Sequence, residues 1–233
     1  ALAVALLAGA YYLLKPTPPT RVVLATGSDQ GAYAEFGKRY RDELKRYGVE
    51  VELRSSHGSR ENLRMLRDAK GDVEIAFIQG GASESQGTQA EEEAQPPLMS
   101  LGSMFYEPVW IFYREDAGKK VSRDGVISDF SQLRGLRINL GPRGSGVPGV
   151  MNRLLKANLM EREDLQYSNL DLVPSVVGML AGTLDAIALI SAPESPLVQM
   201  LLQTPGIRLY EFTQAEAYAR RYRFLSPVTL PRG

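Results

Sequence analysis

The chain has 233 residues, 44% hydrophobic and 23% charged, which suits one or two globular domains and excludes a disordered, collagenous or polytopic membrane protein. Its 27 basic side chains balance 27 acidic ones, so the basic excess that duplex nucleic-acid binding draws on is missing and no nucleic-acid partner is expected. With no cysteine and a single histidine, His57, the chain has no means to build a disulfide, a thiolate zinc site or an iron–sulfur cluster, and no cofactor is expected.

Residues 1–14 form an apolar run that contains Tyr11 and Tyr12 and is closed by Lys15. A bilayer needs about 20 such residues, so the run fits the remnant of a longer segment or the core of a signal peptide. The tyrosine pair and lysine suit the interfacial end of an anchor. A buried N-terminal helix is the alternative. Pro16, Pro18 and Pro19 make the next stretch a stiff spacer. Residues 1–15 are therefore expected to be a hydrophobic anchor helix or signal remnant, and residues 16–20 a proline-rich linker.

Beyond residue 21, short apolar runs alternate with longer periodic ones. Residues 22–25 predict a strand, and Tyr33, Phe36, Tyr40, Leu44 and Tyr47 predict a helix that Gly48 ends. Residues 49–53 predict a second strand, residues 59–69 a second helix, and residues 73–78 a strand buried on both faces. This order implies a parallel, right-handed α/β sheet. Residues 80–97 are polar, and the acidic run at Glu91, Glu92 and Glu93 reads as a solvated face. Two more strands are expected at residues 98–105 and 108–114, then a loop with a short helix over residues 122–133. The pattern restarts with a strand at 136–140, a helix containing Val150, Met151, Leu154 and Leu155, and a short strand at 165–168. A helix at 174–180, a strand at 186–190, a helix at 196–202, a strand at 208–212 and a helix at 214–221 complete it. Two α/β lobes are expected, residues 21–105 and 106–224, with residues 225–233 expected to cross back toward the first lobe in a chain expected to continue beyond them. Ligands of open α/β sheets sit at the carboxyl ends of the strands, so the strand-to-helix turns should line a cleft.

Four turns are candidates. Gly27 and Ser28 open the first helix, either as a ligand-facing turn or as a plain turn capped by Ser28 or Asp29. Its spacing is neither a dinucleotide fingerprint nor a P-loop. At the second turn Ser59 is placed to cap a helix, with Asn62 as a weaker capping-box partner. Capping leaves Gly58 unexplained, and His57 lacks the G-x-S-x-G elbow a catalytic base would serve. Gln79, at the third, carries an amide that both donates and accepts; its plain role is to tie the loop down. The fourth, Gly144, Ser145 and Gly146, offers backbone N–H groups at a helix start as an anion site, with Arg143 able to grip a carboxylate in two-pronged fashion, or else is a structural turn.

The Tyr33 helix, the stretches GSRENLRML, DVEIAFIQGG and LRGLRINLGPRGSG, and then AGTLDAIALI and FLSPVTLPRG, resemble the TAXI family of TRAP-associated extracytoplasmic solute receptors. The resemblance covers nearly everything from Val22 onward. It implies the type II periplasmic-binding-protein fold, in which two parallel-rich α/β lobes close over a small carboxylated solute such as glutamate, glutamine or an organic acid. It also implies Gly27, Ser28, Tyr33, Ser59, Asn62 and Gln79 as contacts from the first lobe and Gly144, Ser145 and Gly146 from the second. The expected function is a non-enzymatic receptor, periplasmic and tethered to the inner membrane, that hands its solute to the membrane subunits of a TRAP-type transporter. The alternative is a membrane-anchored ligand-sensing domain using the same bilobed module.

Overall fold

The computed structural model describes Gly9, residues 19–82 and residues 97–230. The anchor and most of the linker expected at residues 1–20, the acidic run at Glu91, Glu92 and Glu93, and the last three residues of the crossover lie outside the described residues. Among those described, no helix is long and apolar enough to cross a membrane.

The first sheet holds β1 (Arg21–Ala25), β2 (Glu50–Arg54) and β3 (Ile75–Ala76) in the order β2-β1-β3, all parallel. Side chains alternate across a strand, so the unbroken apolar run of β1 serves both faces. Val22 and Leu24 pack with Tyr33, Phe36, Tyr40 and Leu44 of α1 (Ala32–Lys45). Val23 and Ala25 pack with Met65 and Leu66 of α2 (Ser59–Arg67). The strand expected over residues 73–78 shrinks to two paired residues, although Glu74 N–H and Phe77 N–H still donate to β1 carbonyls at 3.2 Å. Residues 98–105 form no strand. No strand pairs with them among the described residues, and Met99 and Leu101 are exposed. Phe105 docks, stacked on Phe36 at 4.2 Å, and Met104 Sδ accepts the Tyr40 hydroxyl at 3.7 Å.

The second sheet runs β6-β5-β7-β4-β8, with β4 (Val109–Arg114), β5 (Arg137–Asn139), β6 (Gln166–Ser168), β7 (Ala186–Ile190) and β8 (Ile207–Leu209). β5 is parallel to β6 and β7, while β4 runs antiparallel to β7 and β8. Trp110 and Phe112 face α5 (Leu172–Leu180) and α6 (Pro196–Gln203). Ile111 and Tyr113 face Met151, Leu154 and Leu155 of α4 (Val147–Ala157). A helix at Glu115–Val121, α3, precedes the expected loop, in which only Phe130–Leu133 coils, as a 3₁₀ turn. α7 (Ala215–Arg221) closes the second lobe. Asp185 ties the middle of this sheet together. Its carboxylate, 5% exposed, accepts Arg137 N–H, Nε and Nη2 at 2.9 Å each and Lys120 Nζ at 3.0 Å.

Candidate functional site

The turns at the carboxyl ends of β2, β3 and β5 meet where the two lobes touch, and glycine makes the meeting possible. Gly58, not Ser59, is the N-cap of α2. Its φ of 120° disfavours any other residue, and a Cβ there would lie 3.2 Å from the Ser145 Cα. A Cβ on Gly144 would strike the His57 Cβ at 2.7 Å, and one on Gly146 would occupy the position of the Gln79 Oε1. Across this seam the N–H groups of Arg60 and Glu61 both donate to the Gly144 carbonyl oxygen at 3.1 Å. The first turn of α2, positive by its dipole, thus holds an oxygen that belongs to the other lobe. At the rim the His57 Nδ1 lies 3.2 Å from Asp171 Oδ1. At the opposite end Phe224 covers Gly80 and Gly81, and Arg153 donates to the Gly81 carbonyl.

Behind the seam lies a linked set of polar side chains. Tyr33 Oη donates to Glu107 Oε2 at 2.6 Å and lies 3.4 Å from Ser59 Oγ. Ser59 Oγ accepts Gln79 N–H at 2.9 Å, and the Gln79 side chain reaches the Glu107 carboxyl. Gln79 Oε1 is buried without a hydrogen-bond partner and points at Gly146. Burial pushes the Glu107 carboxyl up to about 7, against the opposing hydrogen bonds from Tyr33 and Gln79. Burial, then the neighbouring Glu107 charge, pushes the Tyr33 hydroxyl well above its ordinary value.

A raised carboxyl stabilises the fold while it holds its proton. Folded Glu107 keeps that proton between about pH 4.5 and 7, where the unfolded chain has released it, so stability falls as pH rises through this window. Glu107→Gln is expected to be more stable than the parent at pH 8 by about 2 kcal/mol and little changed at pH 5. Urea unfolding at the two pH values checks this. Equal effects at both would remove the buried-carboxyl account.

The structure gathers Tyr33, Ser59, Gln79, Gly144, Ser145 and Gly146 at the seam. Gly27 is buried beneath the Tyr33 ring, which a Cβ would meet at 3.3 Å. Asn62 is buried, but its amide is spent inside the first lobe: Nδ2 donates to the Thr26 and Phe77 carbonyls, and Oδ1 accepts Ser56 Oγ. It neither caps α2 nor keeps a free group for a ligand. Ser59 Oγ likewise caps nothing and serves the polar network. Ser28 is exposed and caps no helix; its carbonyl accepts Gly31 N–H. Arg143 is exposed and lines a groove on the outer side of the seam. Sequence reasoning missed Glu107, whose signal was an acidic residue between the apolar run ending at Tyr106 and Pro108. It also missed the backbone donors of Arg60 and Glu61. No cluster of three or more metal-ligating side chains exists among the described residues.

The profile of the NMT1-like family matches residues 24–233. Among solved structures, the chain is similar to the alkanesulfonate-binding protein SsuA from Xanthomonas axonopodis pv. citri bound to MOPS. That likeness has a TM-score of 0.58 at 15% identity, over 89% of this chain and 70% of the other. A substrate-binding protein of an ABC uptake transporter from Streptococcus pneumoniae, with bound histidine, matches at TM-score 0.54 and 10% identity, over 83% and 75%. The Synechocystis PCC6803 CcmR regulatory domain in complex with 2-PG also matches, at TM-score 0.54 and 14% identity, over 83% and 81%. At such identities the likeness is one of fold.

Proposed function

The chain belongs to the NMT1-like family, and we propose that it acts as an extracytoplasmic receptor that binds a small carboxylated solute between its lobes. One observation carries this reading: the first turn of α2 presents two N–H donors to an oxygen across the seam. A solute carboxylate that takes the place of the Gly144 carbonyl would satisfy the same donors with a full negative charge, a stronger pairing at a helix N-terminus. Tyr33, Ser59, Gln79 and Glu107 would then read the rest of the solute, and the Gly144–Ser145–Gly146 turn would close over it. Closure of one lobe on the other excludes water and commits the solute. Glutamate, glutamine and organic acids fit this chemistry. The resemblance to TAXI receptors supports delivery to the membrane subunits of a TRAP-type transporter by a protein held at the inner membrane through residues 1–15, with no reaction catalysed.

Melting the protein against amino acids, dicarboxylates and other small acids tests the reading. A true solute at a hundred times its Kd stabilises by about 2.7 kcal/mol. That is a rise of about 5–10 °C for a chain of this size. Gly146→Ala displaces Gln79 Oε1 and is expected to weaken the solute at least tenfold. A screen without any saturable shift on folded protein would overturn the carboxylate reading. The fold likeness to the CcmR regulatory domain supports a second reading, a ligand-sensing domain. Loss of solute uptake in cells that lack the protein favours delivery, and unchanged uptake favours sensing.

A further inference from the structure

We propose that the groove on the outer side of the seam is a second binding site, for a small molecule carrying two or more negative charges. The groove has a volume of about 590 Å³, within the range of small-molecule sites. Four guanidinium groups line it, Arg60, Arg64, Arg143 and Arg162, against one carboxylate, Glu61. Whole-chain charge is zero, so this is a local concentration of one sign rather than a general property of the surface.

The four cations are poorly neutralised from within. Arg60 and Arg143 have no acidic side-chain partner among the described residues. Among the described residues Arg64 pairs with Glu61 alone, at 3.4 Å, with its own side chain 77% exposed, a pairing of little strength. Glu61 also accepts His57 N–H at 2.9 Å, which further occupies the one carboxylate present. Arg162 is held in place by its stack on Tyr167, 4.5 Å from the ring centre, and its Nε is buried without a partner. Arginines that face one space repel one another, and an anion removes that repulsion while satisfying their planar N–H forks.

Placement sets the number of charges. Arg60 and Arg64 lie one turn apart on α2, on the wall from the first lobe. Arg143 and Arg162 lie on the wall from the second lobe, in the turn before α4 and in the 3₁₀ turn Arg162–Asp164. A molecule with two separated anionic groups engages both walls, whereas a monoanion engages one. None of Tyr33, Ser59, Gln79 or Glu107 lines the groove. Arg60, Glu61 and Gly144 belong to groove and seam alike, so the two sites abut at the first turn of α2 and the groove is told apart by its guanidinium groups. Because its walls come from different lobes, its occupant favours the arrangement in which the lobes touch.

Calorimetric titration of the full chain with citrate, pyrophosphate and acetate, at pH 7.5 and constant ionic strength, tests the site. Citrate or pyrophosphate is expected to bind saturably and at least tenfold more tightly than acetate. A preference for pyrophosphate assigns a phosphorylated ligand, and one for citrate a polycarboxylate. Arg143→Gln, an exposed change that leaves the fold intact, and Arg162→Gln are each expected to weaken binding about tenfold. Arg41→Gln, on the outside of α1, removes the same charge without effect. Equal affinity for acetate and citrate, or equal losses in the Arg41 and Arg143 variants, would overturn the proposal. So would a loss in Gln79→Ala as large as that in Arg143→Gln, which would move the anion into the seam.

Discussion

Asp185→Ala is expected to lower the melting temperature by roughly 10 °C, a loss of about 3 kcal/mol. The carboxylate is nearly inaccessible and takes three hydrogen bonds from Arg137 and one from Lys120. Removing one member of a buried ion pair costs about 3–5 kcal/mol because the other charge is left without its partner. Here the lower end applies, since the side chains of Arg137 and Lys120 are 43% and 56% exposed and can regain water. These partners hold the Asp185 carboxyl below the ordinary carboxylate range, led by the Arg137 hydrogen bonds. A lowered folded value means stability present above the unfolded pKa of about 4 and lost as pH falls below it. The parent should therefore lose stability more steeply than Asp185→Asn below pH 4, and the two acid titrations should converge at the lowest pH. Parallel curves would show that Asp185 contributes packing alone.

Gly118→Ala should destabilise by about 3 kcal/mol or more, although alanine is the better helix former. Gly118 lies within α3, and its added Cβ would sit 2.1 Å from the Gly125 carbonyl oxygen and 3.1 Å from the Tyr113 ring. Propensity favours alanine by about 1 kcal/mol. Overpacking against a side chain costs about 1–3 kcal/mol, and the obstacle here is backbone. The turn that carries this carbonyl is held on both sides, with Gly125 N–H donating to the Ser122 carbonyl at 3.2 Å and Asp124 Oδ1 accepting Ser122 Oγ and Val126 N–H. The clash wins over the propensity. Urea unfolding of the variant checks the sign, and a gain in stability would mean that the turn at Gly125 gives way freely.

Much of the fold was legible because periodicity records burial. The run Ala186–Ile190 was read at its observed limits, since β7 lies inside the sheet and every position in it is apolar. The stripe Tyr33, Phe36, Tyr40 and Leu44 was read for the same reason, though Tyr47, at the end of the pattern, is 75% exposed. Strand direction was not legible: alternation along β4 looks the same whichever way the strand runs, so its antiparallel pairing with β7 came only from the structure. Residues 98–105 carried strand-like side chains but met no partner strand, and a ladder needs two strands. At the seam, glycines marked the turns correctly, yet what they admit was hidden. Gly58 and Gly146 are small because Ser145 and Gln79 approach them from the other side, more than 60 residues away along the chain. The resemblance placed Asn62 among the ligand contacts, and a sequence shows an amide's chemistry but not the partners, Thr26, Phe77 and Ser56, on which it is spent. Glu107 passed unseen for the converse reason, as one acid beside a proline gives no sign of being enclosed.

The glycine seam has an energetic corollary. Its contacts are backbone hydrogen bonds, bare backbone faces and polar side chains, His57 with Asp171 and Arg153 with the Gly81 carbonyl, with Phe224 on Gly80 and Gly81 as an apolar addition. At about 25 cal/mol per Å² of apolar area, such a junction adds little hydrophobic attraction between the lobes. Apart and together are thus expected to be nearly isoenergetic states, and a ligand that prefers one by a few kcal/mol governs the ratio. The set point of the molecule is then the ambient concentration of its ligand, and affinity is spent on detection instead of on prising apart or gluing a strong interface.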